Sequence, residues 1–118
     1  MTRVANPIVR MLGLFPTLTV AGRRTGAPRT TPLEHAGSRY LVSGRGETDW
    51  VRNLRASRAG LLRERGRTVR IRATEVGGGE RERVVAAYRR KMGHAVDEQF
   101  ARLPAAAEHP VFRIERED

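Results

Sequence analysis

The stretch Thr19-Val20-Ala21-Gly22-Arg23-Arg24-Thr25-Gly26-Ala27-Pro28-Arg29-Thr30-Thr31-Pro32-Leu33 reads as strand, tight loop and strand. Leu18 to Ala21 alternates apolar and β-branched residues, the pattern of a half-buried strand. Gly22 and Gly26 supply left-handed backbone cheaply, so the connection to Thr30–His35 is a tight hairpin loop presenting Arg23, Arg24 and Arg29. Pro32 cannot donate to a ladder and marks that second strand as an edge or a bulge. Working outward, Ala36-Gly37-Ser38 turns into a third strand over Arg39–Ser43, which suggests an antiparallel meander of the first three strands.

Further along, Gly44-Arg45-Gly46 breaks the strand pattern, and Thr48 or Asp49 caps a helix to about Ala56 with Trp50 and Leu54 inward. Ala59–Glu64 is a short strand. Thr68–Val76 is the cleanest strand: Val69, Ile71 and Ala73 point one way, Arg70, Arg72 and Thr74 the other. Glu80–Met92 reads as a helix with Val84, Val85, Tyr88 and Met92 inward, and a shorter helix follows over Val96–Leu103. Pro110–Glu115 is the last strand, without clean alternation. Runs of strands with helices inserted at their ends point to an α+β fold, an antiparallel barrel or strongly bent sheet with flanking helices. A doubly wound sheet is excluded by the same order.

The chain has 118 residues, room for one domain (1–118) with an N-terminal helical segment over 1–16 and the barrel and helices over 17–116. Asn6 to Leu14 suits a short helix, with Asn6 as cap and Pro7 in the first turn. The longest uncharged run, Met11–Gly22, is too short and too broken by Pro16 to span a bilayer, and no cleavage signal follows an apolar core. The expected location is therefore cytoplasmic, with peripheral membrane contact left open. The absence of cysteine excludes a disulfide scaffold and a thiolate metal site.

Formal charge is +10, and Lys91 is the only lysine among 23 basic residues. Such a charge calls for an anionic partner, nucleic acid first among them. Yet no exposed aromatics interleave with the basic residues and no recognition-helix or zinc-finger pattern appears, so nucleic acid is not expected. Arg63, Arg65, Arg67, Arg70 and Arg72 fall on one hairpin and read as a solvated face. Arg23, Arg24, Arg29 and Arg45 instead sit on glycine-rich loops, where backbone N–H groups approach a ligand and guanidinium groups take phosphate or carboxylate in a bidentate grip. That combination fits a small polyanionic ligand.

Catalytic signatures are sparse. The loop lacks the lysine and hydroxyl residue that end a P-loop, and no Rossmann fingerprint is present. His35, His94 and His109 have no metal-ligand spacing, so no metal site is expected. Glu34 and His35 are neighbours on a strand and face opposite sides, which weakens an acid–base pair. The chemistry points to a borrowed cofactor.

The quoted hairpin, followed by Trp50-Val51-Arg52-Asn53-Leu54-Arg55-Ala56, resembles the deazaflavin-dependent nitroreductase family of actinobacteria. The loop pattern T-x-G-R-[KR]-[ST]-G-x-P-R-x-x-P-L and the helix pattern W-x-x-N-L-[KR]-A occur there in the same order. The resemblance runs from about Leu18 to Glu115. It implies a split β-barrel related to flavin-mononucleotide-binding oxidoreductases. It also implies reduced coenzyme F420, an 8-hydroxy-5-deazaflavin, as hydride donor to a quinone, nitroaromatic or other small electron-poor acceptor, with FMN ranked behind it. By that resemblance Arg24 and Arg29 grip the phosphate and carboxylates of the coenzyme, joined in the site by Arg23, Thr25, Gly26, Pro28, Thr31, Pro32, Arg45, Gly46, Trp50 and Asn53. Ser43 and Tyr88 are the candidate proton donors. A monomer or a homodimer fits the fold by analogy. Two other classes stay open: a non-catalytic cofactor- or lipid-binding protein of the same fold, and a basic nucleic-acid-binding module.

Overall fold

The computed structural model describes residues 15–34 and 38–117. The expected N-terminal helix, His35 and most of the turn at 36–38 lie outside them. Six strands form one antiparallel sheet: β1 Thr17–Ala21, β2 Pro28–Pro32, β3 Tyr40–Val42, β4 Ala59–Glu64, β5 Arg67–Val76 and β6 Val111–Glu117. Their order across the sheet is β2-β1-β4-β5-β6-β3. The helices are α1 Asp49–Ser57, α2 Gly78–Met92 and α3 Asp97–Arg102, with short 3-10 turns at Gly93–Val96 and Ala106–Glu108.

β5 occupies the middle because its alternation buries one face and solvates the other: Ile71 and Ala73 are buried while Arg70 and Arg72 are exposed. β6 explains why its own sequence does not alternate. Val111 and Phe112 are neighbours that point to opposite faces, and both are completely enclosed. Each face there carries its own core. Phe112 packs with Leu18, Leu54, Leu62 and Ile71 beneath α1, whereas Val111 packs with Val85, Tyr88, Val96 and Phe100 beneath α2 and α3.

α1 turns Val51 and Leu54 fully inward, and Trp50 is only half-buried, its ring 6.1 Å from that of Phe112. The sequence pairs Leu54 with Trp50 on the inner stripe; in the structure its fully buried partner is Val51, three residues back, and Trp50 packs at the edge of that core. α2 buries Val85 and Tyr88 as the periodicity predicts.

The expected meander stops after two strands. β1 and β2 form the hairpin, and β2 is an edge strand, which Pro32 tolerates. β3 leaves that neighbourhood and pairs with β6, with Tyr40 opposite Arg113 and Val42 opposite Val111. Burial decides this: Leu41 joins the Phe112 core and Val42 the Val111 core, which only a strand beside β6 can do. The sheet therefore ends in β2 on one side and β3 on the other, and it curls until residues of both edges line the same cleft. That gap is the split in the barrel.

Candidate functional site

The cleft has a volume of about 1070 Å³. At one end lies the loop between β1 and β2, closed by Gly22 N–H donating to the Ala27 carbonyl at 2.8 Å and carrying Arg23, Arg24 and Thr25, with Arg29 on the following strand. α1 holds this loop down. The Asn53 side-chain oxygen, buried, accepts the Arg23 backbone N–H at 3.1 Å and Arg23 Nη1 at 2.8 Å. Asp49 adds an ion pair to Arg23 at 3.6 Å. An asparagine inside a helix is poorly suited by propensity and needs such a partner. Its acceptor is spent on the protein, so Asn53 shapes the arginine loop.

No carboxylate among the described residues pairs with Arg24, Arg29 or Arg45. All three line the cleft with exposed side chains. They give the cleft a positive wall without carboxylate partners, beside the Asp49-paired Arg23. Trp50, Thr31 and Pro32 line it too, whereas Gly26, Pro28, Gly46 and Tyr88 do not.

Ser43, Gly44 and Arg45 of the loop Ser43-Gly44-Arg45-Gly46 also line the cleft. Ser43 is buried and its hydroxyl donates to the Gly46 carbonyl at 2.6 Å. Gly46 has φ +83°, and a side chain there would meet Leu103 at 2.9 Å, so glycine is needed on both counts. Gly44 packs so closely on Gln99 and on the Tyr88 hydroxyl (2.8 Å from a notional Cβ) that no side chain fits. His109 is completely buried behind this loop, one ring nitrogen 3.0 Å from the Ser43 carbonyl and the other 2.7 Å from that of Leu103. It is a core histidine stacked on Phe100 with ring centres 4.3 Å apart. His94 is exposed and pairs with Asp97 at 2.8 Å, and this bond raises its pKa. Among the described residues no cluster of metal-ligating side chains occurs.

The other end of the cleft was not legible in the sequence. Phe15, Leu33, Glu34, Met92 and Ala95 line it. Leu33 N–H donates to the Pro16 carbonyl at 2.8 Å, which sets Phe15 beside Leu33 and Glu34. The Glu34–His35 pair lies outside the described residues on its His35 side. The Glu34 carboxylate accepts from Gln99 Nε2 at 3.2 and 3.3 Å, and the Tyr88 hydroxyl lies 3.4 Å away. Tyr88 is buried in the second core, and burial, reinforced by the Glu34 charge, pushes its pKa well above the ordinary phenol value. The phenol stays protonated and serves as a hydrogen-bond donor. Thr48 also faces the cleft, and its Oγ1 is buried without a hydrogen-bond partner among the described residues. α1 begins there without a side-chain cap.

Solved structures share this architecture. An F420-H2 dependent reductase matches 87% of the chain and 93% of its own length, at 18% identity and a TM-score of 0.63. A domain-swapped dimer matches 87% of the chain and 79% of its own, at 18% identity and a TM-score of 0.61. An FAD-binding protein from Mesorhizobium loti aligns over 100% of the chain and 93% of its own, at 19% identity and a TM-score of 0.59. At such identities the likeness establishes the split-barrel fold. None of the curated proteins compared with the chain matches it significantly. The family-level match does cover the residues that build the cleft from the arginine loop to α3: the model described as F420H(2)-dependent quinone reductase aligns with residues 3–102, and the chain belongs to that family of F420-dependent oxidoreductases.

Proposed function

We propose that the cleft binds reduced coenzyme F420 and serves its hydride transfer to a quinone, with nitroaromatics and other electron-poor rings as further acceptors. The observation that carries this reading is the set Arg23, Arg24, Arg29 and Arg45 on one cleft that also offers apolar surface from Val20, Leu33, Val42, Trp50 and Met92. A cofactor with anionic groups on a flat ring needs both. The orphaned Thr48 Oγ1 adds a polar atom awaiting a partner, so the residues present fit the group. FMN, smaller in charge, uses fewer of these arginines and is the second choice.

In this reading Arg24 and Arg29 hold the phosphate and carboxylates, and Asn53 keeps Arg23 and its loop in place. Thr25, Gly26, Pro28, Thr31 and Pro32 shape the loop and its strand, and Arg45 and Gly46 the facing loop. Trp50 would offer an apolar wall to the coenzyme ring. The coenzyme supplies the hydride when bound; the protein orients the two reactants and excludes water. Ser43 stands at the cleft wall with its proton directed to Gly46, and delivery of a proton to the product requires that bond to swing. Tyr88, the other candidate donor, stands behind the cleft wall, its hydroxyl 3.4 Å from the Glu34 carboxylate, and a proton from it would need a rearrangement of that wall. No helix among the described residues is long and apolar enough to cross a membrane. The reading takes the protein as cytoplasmic, as a monomer or a homodimer, with peripheral membrane contact open.

The test is oxidation of the reduced coenzyme, followed by its absorbance, with a panel of quinones and nitroaromatics. Saturable turnover with a quinone supports the reading, and binding without turnover supports a second one, a non-catalytic carrier of the same fold. The engaged Ser43 hydroxyl and the buried Tyr88 favour that second reading. A nucleic-acid module rests on net charge alone, and it predicts duplex binding that weakens steeply with salt.

A further inference from the structure

The cleft is electrically polar. β1 and β2 are antiparallel, with Ala21 opposite Pro28 at the arginine end and Thr17 opposite Pro32 at the other. Arg29 and Glu34 are thus some five residues apart along an extended edge, roughly 16 Å at the usual rise of a strand. Two carboxylates line the cleft, Asp49 and Glu34. Asp49 is neutralised by Arg23 at 3.6 Å and Arg52 at 3.7 Å. Glu34 is held by neutral groups, the Gln99 amide and the Tyr88 hydroxyl, and no cation among the described residues pairs with it. Gln99 donates to both of its oxygens, which fixes the carboxylate rather than letting it swing away into water. Around it the wall is Phe15, Leu33, Met92 and Ala95, a surface for a flat apolar ring.

We infer that Glu34 is a specificity-determining residue: it makes this end of the cleft an acceptor subsite that takes uncharged or cationic aromatic rings and disfavours anionic ones. The inference rests on the oxidoreductase reading above and names the class of acceptor. A fixed carboxylate lowers the local concentration of an anion and leaves a neutral ring unaffected, so the effect falls on KM rather than kcat. The same field turns a polyanionic coenzyme's charged groups toward the arginine end and keeps the two ligands from competing.

The experiment compares kcat/KM for a neutral naphthoquinone, its sulfonated analogue and its trimethylammonium analogue, at saturating reduced coenzyme. In Glu34→Gln the sulfonated-to-neutral ratio rises ~3–10-fold, the size expected for like charges about 6 Å apart in a solvent-open cleft, and the trimethylammonium-to-neutral ratio falls. The amide keeps an oxygen for Gln99, so the fold is retained, as circular dichroism and the melting temperature verify. Glu82→Gln removes the same charge from the exposed far end of α2 and shifts either ratio less than twofold. Added salt shrinks the Glu34 effect. Unchanged ratios in Glu34→Gln, or equal shifts in Glu82→Gln, overturn the inference while the oxidoreductase reading stands. If the wild type reduces none of the three rings, the oxidoreductase reading fails and the acceptor subsite with it.

Discussion

Two regions of this molecule are rich in arginine, and they do different things with it. The hairpin of β4 and β5 carries Arg63, Arg65, Arg67, Arg70 and Arg72 on an outer face, all exposed; of these Arg72 pairs with Glu117 at 2.7 Å. Water screens such charges from one another and from any ligand. The loop after β1 and the start of β2 place Arg23, Arg24 and Arg29 around one cleft, and a buried asparagine on α1 holds the loop in position. The guanidinium group is the same in both. Concavity and a supporting hydrogen bond to Asn53 separate the proposed binding site from a solvated surface. Net charge, +10 for the whole chain, reports neither.

That contrast is open to attack. The largest effect is expected for Asn53→Ala, which leaves the Arg23 N–H and guanidinium without their acceptor. It should cost about 1.5–3 kcal/mol of stability, seen as a lower denaturant midpoint, and weaken coenzyme binding as the loop loosens. Arg29→Ala should cost about 1.5–3 kcal/mol in coenzyme binding, read by titration, with the denaturant midpoint nearly unmoved. Equal losses in binding and stability would place Arg29 in the fold. Gly44→Ala forces a methyl group against Gln99 and the Tyr88 hydroxyl and should destabilise by about 1–3 kcal/mol. On the other side of the comparison, replacing Arg63, Arg67 and Arg70 together by glutamine should change coenzyme binding less than about threefold and stability by no more than about 0.5 kcal/mol.

The smallest effect concerns pH. Hydrogen bonds from Arg55 hold the Glu47 carboxyl below its ordinary 4.5, and bonds from Tyr40 and then Arg113 do the same for Glu80. A depressed carboxylate contributes stability above its unfolded value and loses it as pH falls through the folded one. The contribution of these two carboxylates should therefore be flat above pH ~5 and decline below ~4.5. Glu80→Gln should flatten that decline slightly, and a melting-temperature series against pH in both proteins measures it.

Local pattern made much of this readable. The hairpin around Gly22 to Arg29, the alternating β5 and the inner face of α2 each announce themselves within a dozen residues, and each is present. The arginine loop was legible for the same reason: its glycines, proline and charges are contiguous. What escaped depends on contacts made far along the chain. β3 pairs with β6, some 70 residues on, and no periodicity in Tyr40-Leu41-Val42 encodes that choice. Glu34 looked like the neighbour of His35, but its partner Gln99 lies 65 positions away. Asn53 could be singled out as needing a partner, and only the fold shows that Arg23, 30 positions back, provides it. β6 lacks clean alternation because it buries a core on each face, Val111 in one and Phe112 in the other.

The measurement that bears most directly on the account is a fluorescence titration of coenzyme F420 against three proteins: the wild type, Arg29→Ala and the Arg63/Arg67/Arg70 glutamine variant. Coenzyme binding in the arginine cleft means saturable binding by the wild type, a loss of about tenfold or more in Arg29→Ala, and near-wild-type binding by the hairpin variant. Absence of saturable binding by the wild type, or a hairpin variant that binds as poorly as Arg29→Ala, would contradict it.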